Sequence, residues 1–166
     1  RLVTAGVALI LASFHPAVAA EISDQKPAKF RLPTAAMTPS ERGFFWLTNK
    51  AYLPADFDDE TFERLWERWP AVERQKAKQA TPAERRKMTF DYYGLMPRPG
   101  EAAASRALGY VDDGKGGWGM NCLACHTGKV AGKVILGVGN SHFAMQTLTE
   151  DVRSTKLLEG KVLSHL

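Results

Sequence analysis

The sequence has no apolar run long enough to cross a bilayer as a helix, only two cysteines, no block of like charge, and no initiating methionine. Each absence narrows the reading. A transmembrane helix needs about 20 consecutive apolar residues. The most apolar stretch, LVTAGVALILA at residues 2–12, is far shorter and is closed by Ser13-Phe14-His15-Pro16. Lys and Arg outnumber Asp and Glu by 22 to 18 and the pI is near 9.1, but the two signs are interleaved throughout. That pattern fits a solvated mixed surface, not a nucleic-acid-binding face. With two cysteines, any thiol chemistry must use Cys122 and Cys125.

The opening residues fit a signal peptide. Small residues at Ala17-Val18-Ala19-Ala20 suit a signal peptidase, the chain turns polar at Glu21, and cleavage is expected after Ala20. An uncleaved N-terminal anchor is the rival reading. Either way the domain faces an oxidising compartment, expected to be the bacterial periplasm, and cleavage leaves it with no membrane segment. The mature chain would carry 21 basic against 18 acidic residues, a formal +3. The start at Arg1 leaves the charged end of the signal incomplete, and residues 156–166 (KLLEGKVLSHL) are still apolar-periodic where they stop. A longer protein, with more domain to follow, is therefore expected.

Residues 21–37 hold two prolines and little periodicity, as a linker would. Thr38-Pro39-Ser40-Glu41 combines an N-cap hydroxyl, a first-turn proline and a glutamate three residues after the cap, which predicts a helix to about Lys50. Asp58-Asp59-Glu60 predicts a second helix start, with Phe62, Leu65, Trp66 and Trp69 on one face and Pro70 ending it. Thr81-Pro82-Ala83-Glu84 repeats the capping chemistry before a stripe of Met88, Tyr92 and Leu95. The two capping boxes precede different sequences and do not define a repeat. Residues 96–120, with prolines at 97 and 99 and six glycines, read as a long loop. Residues 133–138 (KVILGV) read as an extended or hairpin-like piece too isolated to build a sheet. Asn140-Ser141 then caps a last helix carrying Phe143, Leu148 and Val152 inside. The expected fold is mainly α, with little β: a helical extension at 38–95 and a cytochrome c-like haem-binding domain at 96–166.

The chemistry rests on Cys122-Leu123-Ala124-Cys125-His126, the C-x-x-C-H signature of covalent haem attachment. On one turn, two thiols reach the two porphyrin vinyl groups while the adjacent histidine binds iron, so a single haem c is expected. A redox-active thiol pair, half of a zinc site and a structural disulfide compete. The first wants a βαβ setting, the second further close ligands, and the third gives no role to His126. Gly116, Gly117, Gly119 and Gly128 leave room for a flat macrocycle edge. Trp118 and Met120 are expected to flank the haem, with ordinary core as the alternative for Trp118.

The sixth iron position decides between electron transfer and small-molecule binding. His142 follows His126 by 16 residues and Met145 lies one turn further on; His142 is read as the ligand, Met145 as the alternative. Met120 is too near the attachment turn to cross the ring. His15 falls in the signal and His165 at the chain end.

The segment Gly119-Met120-Asn121-Cys122 to His126-Thr127-Gly128, with GVGNSH at residues 137–142, resembles the N-terminal haem region of the di-haem cytochrome c peroxidases and their rubber-oxygenase relatives. The resemblance covers residues 116–146. It implies that His142 binds iron and leaves on activation, and it makes the first hundred residues a family-specific addition. A second C-x-x-C-H, found in the C-terminal half of such proteins, is absent here. The expected functions are an exported cytochrome passing electrons to a periplasmic redox partner, the first part of a di-haem peroxidase or oxygenase, or a thiol-disulfide oxidoreductase that would be colourless.

Overall fold

The computed structural model describes residues 34–98 and 106–161. The expected signal peptide, most of the lead-in and His165 lie outside them. The element order is α1 (Pro39–Asn49), β1 (Ala55–Asp58), α2 (Asp59–Arg64) running into a 3-10 turn (Leu65–Arg68), α3 (Ala71–Gln79), α4 (Pro82–Tyr93), β2 (Tyr110–Asp112), β3 (Gly117–Met120), a 3-10 turn (Cys122–Ala124), β4 (Thr127–Val130), β5 (Lys133–Leu136) and α5 (Met145–Leu158). Among the described residues no helix is long and apolar enough to cross a membrane.

The expectation of a mainly α, cytochrome c-like fold is corrected by these elements. Among the described residues the protein is mixed α/β, 49% helical and 16% strand, with two small sheets. An antiparallel sheet of order β1-β3-β2 stands apart from a β4-β5 hairpin. The glycines read as loop markers explain the miss. In β3 they flank Trp118, and a strand alternates its faces, so Trp118 enters the core while both neighbours face away. A Cβ on Gly117 would come within 2.5 Å of the Ala55 side chain, and one on Gly119 within 2.6 Å of Ala51. Glycine there permits close packing against the β1 segment rather than flexibility.

The helix starts follow their capping chemistry. Thr38 and Thr81 each form a reciprocal capping box, with Glu41 and Glu84. Asp58 caps α2 through a 2.8 Å hydrogen bond from the Thr61 amide. The charged stretch from Glu73 to Lys78 belongs to α3, whose polar surface hid its helical period; only Ala77 is buried on it. The last helix begins at Met145, with Ala144 at its cap position and no side-chain cap, so Asn140 and Ser141 do not open it.

Residues from both sides of the sequence boundary at 95/96 meet in one core. Trp118, fully buried, stacks on Phe62 with ring centres 4.2 Å apart, and Phe57 closes the cluster at 5.3 Å. Its indole nitrogen donates to Asp59 at 2.8 Å. Trp69 donates to the Tyr93 hydroxyl at 3.0 Å, and Tyr93 donates to Asp151 of α5 at 2.7 Å. Aromatic contacts of this kind contribute about 0.5–1.5 kcal/mol per pair beyond area burial. The core thus clamps β3 and α5, the two elements that lead into and away from the cysteine motif.

Candidate functional site

Strand β3 runs straight into the turn that carries the motif. Asn121, buried, anchors the junction. Its amide donates to the Gly109 carbonyl at 2.9 Å, and its side-chain oxygen accepts from the Leu123 amide at 2.9 Å. The turn that follows is 3-10, in which residues three apart eclipse one another. Cys122 and Cys125 therefore leave from one side. Both are free thiols and exposed, as is His126, whereas the intervening Leu123 and Ala124 are buried. The His126 amide donates back to the Cys122 carbonyl at 3.0 Å, extending the turn by one residue. Under the turn, a Cβ on Gly109 would overlap the Ala124 backbone, so the support approaches as closely as only glycine permits.

The hairpin and its outgoing loop brace the far side. Gly137 donates to the His126 carbonyl at 2.9 Å and Asn140 to the Cys125 carbonyl at 2.8 Å. The Asn140 side-chain amide donates to Gly94 at 2.8 Å and to Ala124 at 3.3 Å. Asn140 therefore joins the end of α4, the motif turn and the loop before α5. It was expected to be a helix cap. The signal available was an Asn between glycine and serine two residues before the candidate ligand, and that pattern does not separate the two roles.

His142 is exposed and precedes α5 rather than lying on it. Its amide donates to the Asn140 side chain at 3.2 Å, and its carbonyl lies against Gly94, which ends α4 at φ +67°. Met145, 48% exposed, lies in the first turn of α5. It borders a cavity of about 460 Å³ between α5 and the three-stranded sheet, floored by Phe57, Tyr110, Met120, Leu148 and Val152. The structure thus puts Met120 and Met145 on one cavity and leaves His142 on the loop beside it. Trp118 is core and does not line the cavity.

The electrostatic setting links cavity and motif. The Tyr110 hydroxyl is pushed well above the ordinary phenol range, chiefly by burial, with the charges of Asp56 and Cys125 adding to the effect. Around the turn, the hairpin and its exit present exposed apolar side chains: Val130, Ile135, Leu136 and Val138. Exposed apolar side chains on the hairpin that follows two thiols and an imidazole suit a hydrophobic group held there. The thiol-redox reading has less support. The turn spans three residues between strands of two separate sheets, and among the described residues there is no βαβ unit around it and no long helix starting at it whose N-terminus would stabilise a thiolate. Among the described residues no group of three or more His, Cys, Asp or Glu side chains converges as a zinc site would require.

Compared with protein-family models, curated proteins and solved structures, the chain has no match in any of the three.

Proposed function

We propose that the chain is an exported c-type cytochrome, holding one haem c through Cys122 and Cys125, with His126 on the iron, and passing electrons to a periplasmic partner protein. One observation carries the reading: both thiols and the imidazole leave one exposed turn whose intervening residues are buried. Each thiol would add across one vinyl group, sulfur to one carbon and hydrogen to the other, so no atom would leave and no oxidant would be consumed. His126, held by its amide bond to Cys122 and its carbonyl bond from Gly137, has its backbone fixed for ligation. The attached group supplies one-electron chemistry between the ferrous and ferric states. Apolar Met120 and Met145 line the cavity beside the motif, and an apolar setting there would disfavour the extra charge of the ferric state and raise the potential.

A second reading, the opening part of a di-haem peroxidase or oxygenase, draws support from His142. An imidazole exposed on a braced loop, outside any helix, can bind iron and depart without unwinding an element. Met145 is the competing ligand because it lines the cavity.

The test is expression in cells with a working cytochrome c maturation system. Haem that survives acid-acetone extraction and gives a sharp reduced α band supports attachment. A colourless chain with both thiols titratable overturns it in favour of the thiol-disulfide reading. Spectral shifts with carbon monoxide or peroxide then favour the enzyme over the carrier.

A further inference from the structure

We infer that the groove between α5 and the three-stranded sheet takes the carboxylate edge of the haem, and that Arg153 is the cation that positions it. The inference rests on the attachment reading above. Three features of the groove argue for it. The first is continuity with the motif: Met120 lines the groove and lies two residues before Cys122, at most about 7 Å along the chain.

The second is length. Met145 and Arg153 both line the groove and are eight residues apart on α5, a rise of about 12 Å. A porphyrin fixed by its vinyl edge near Met120 would carry its carboxylates on the opposite edge, where Arg153 could hold them.

The third is charge. Four ionisable side chains face the groove: Asp56 from β1, Tyr110 from β2, and Arg153 and Lys156 from α5. The Lys156 ammonium already donates to the Asp56 carbonyl at 3.1 Å. Tyr110 is buried and neutral. Asp56 repels a carboxylate. Arg153 is exposed and makes no hydrogen bond or ion pair among the described residues. A guanidinium pairs a carboxylate bidentately, so this side chain matches both the charge and the planar geometry of a propionate. A cation at that edge also disfavours ferric iron and raises the potential.

The test is the midpoint potential of the holo-protein in Arg153→Lys, Arg153→Ala and Arg153→Glu, with Lys87→Glu, an exposed position on α4 that does not line the groove, as control. The expected order is wild type and Lys highest, then Ala, then Glu. Arg153→Ala should shift the reduction equilibrium about tenfold toward the ferric form, about 59 mV for one electron. The haem content should be unchanged, because the thioethers hold it. A second measurement compares apo Cys122→Ser/Cys125→Ser chains, with and without Arg153→Glu, for binding of free haemin against its dimethyl ester. A preference for the free acid that disappears in Arg153→Glu supports the inference. Covalent haem with an Arg153→Glu potential equal to wild type overturns the inference and leaves the attachment reading intact. Absence of covalent haem in every chain overturns the attachment reading and the inference together.

Discussion

The backbone amide of Asn140 donates to the carbonyl of Cys125 at 2.8 Å, tying the loop that carries His142 to the turn that carries the thiols. The Asn140 side chain adds the two bonds to Gly94 and Ala124. Replacing it by alanine strips both carbonyls of that partner while the backbone bond survives. Asn140→Ala should cost about 1–3 kcal/mol, the range for orphaning partly buried polar groups. A shift in urea midpoint without a change in slope checks it.

Gly94 ends α4 in the left-handed region at φ +67°, where a Cβ would also overlap the His142 carbonyl. Gly94→Ala meets both penalties. It should destabilise by more than about 1 kcal/mol, and more than an alanine at a merely left-handed glycine such as Gly114, whose Cβ direction is open. Thermal unfolding of the two variants side by side reads the difference.

If His142 is the sixth ligand, His142→Ala converts a six-coordinate low-spin spectrum to high-spin with the haem still attached. Met145→Ala should leave the spin state unchanged. The reverse pattern assigns iron to Met145, the side chain that lines the cavity. Optical and electron paramagnetic spectra of the ferric forms distinguish the cases.

Acid should weaken the fold through four carboxylates held below their ordinary values: Glu41 and Glu84, lowered by the amides and hydroxyls of Thr38 and Thr81, and Asp58 and Asp112. Burial works to raise Asp58, but the Thr61 amide and the Lys161 ammonium outweigh it and hold the group below the ordinary 3.8. Burial likewise opposes, and the Gly114 amide and Arg106 overcome, at Asp112. A lowered folded value means the stabilisation is fully present above the unfolded value and is lost as pH falls through the folded one. Asp151, raised mainly by burial, acts in the opposite sense. Stability should therefore hold from neutrality to near 4.5, the ordinary value of the two glutamates, and decline further below 3.8, that of the two aspartates. Asp58→Asn, which keeps a good cap, should shrink that decline in urea titrations at stepped pH.

The capping boxes at Thr38 and Thr81 were legible because their chemistry is local: four residues satisfy their own amides. The C-x-x-C-H pattern is likewise local, and the turn it forms follows from five consecutive residues. The three-stranded sheet was not legible, because Ala55–Asp58 pairs with Gly117–Met120 some sixty positions later and no short window holds both strands. The glycines of that segment signalled a loop, and only the partner strand reveals that they make room for it. Trp118 was undecided between core and haem contact; the answer depended on Phe62 and Asp59, distant in sequence. Arg153 carried no signal, since a lone arginine on a helix gains meaning from the groove it borders.

Under the proposed attachment, the exposure of Cys122, Cys125 and His126 outside a closed aromatic core also bears on biogenesis. A chain whose attachment residues stand clear of its packing does not need the cofactor to complete that packing. Sheet, helices and braced loop can assemble first, and attachment then acts on a finished scaffold as a late fastening. An apoprotein made without maturation factors would on this account stay folded and protease-resistant, awaiting its group.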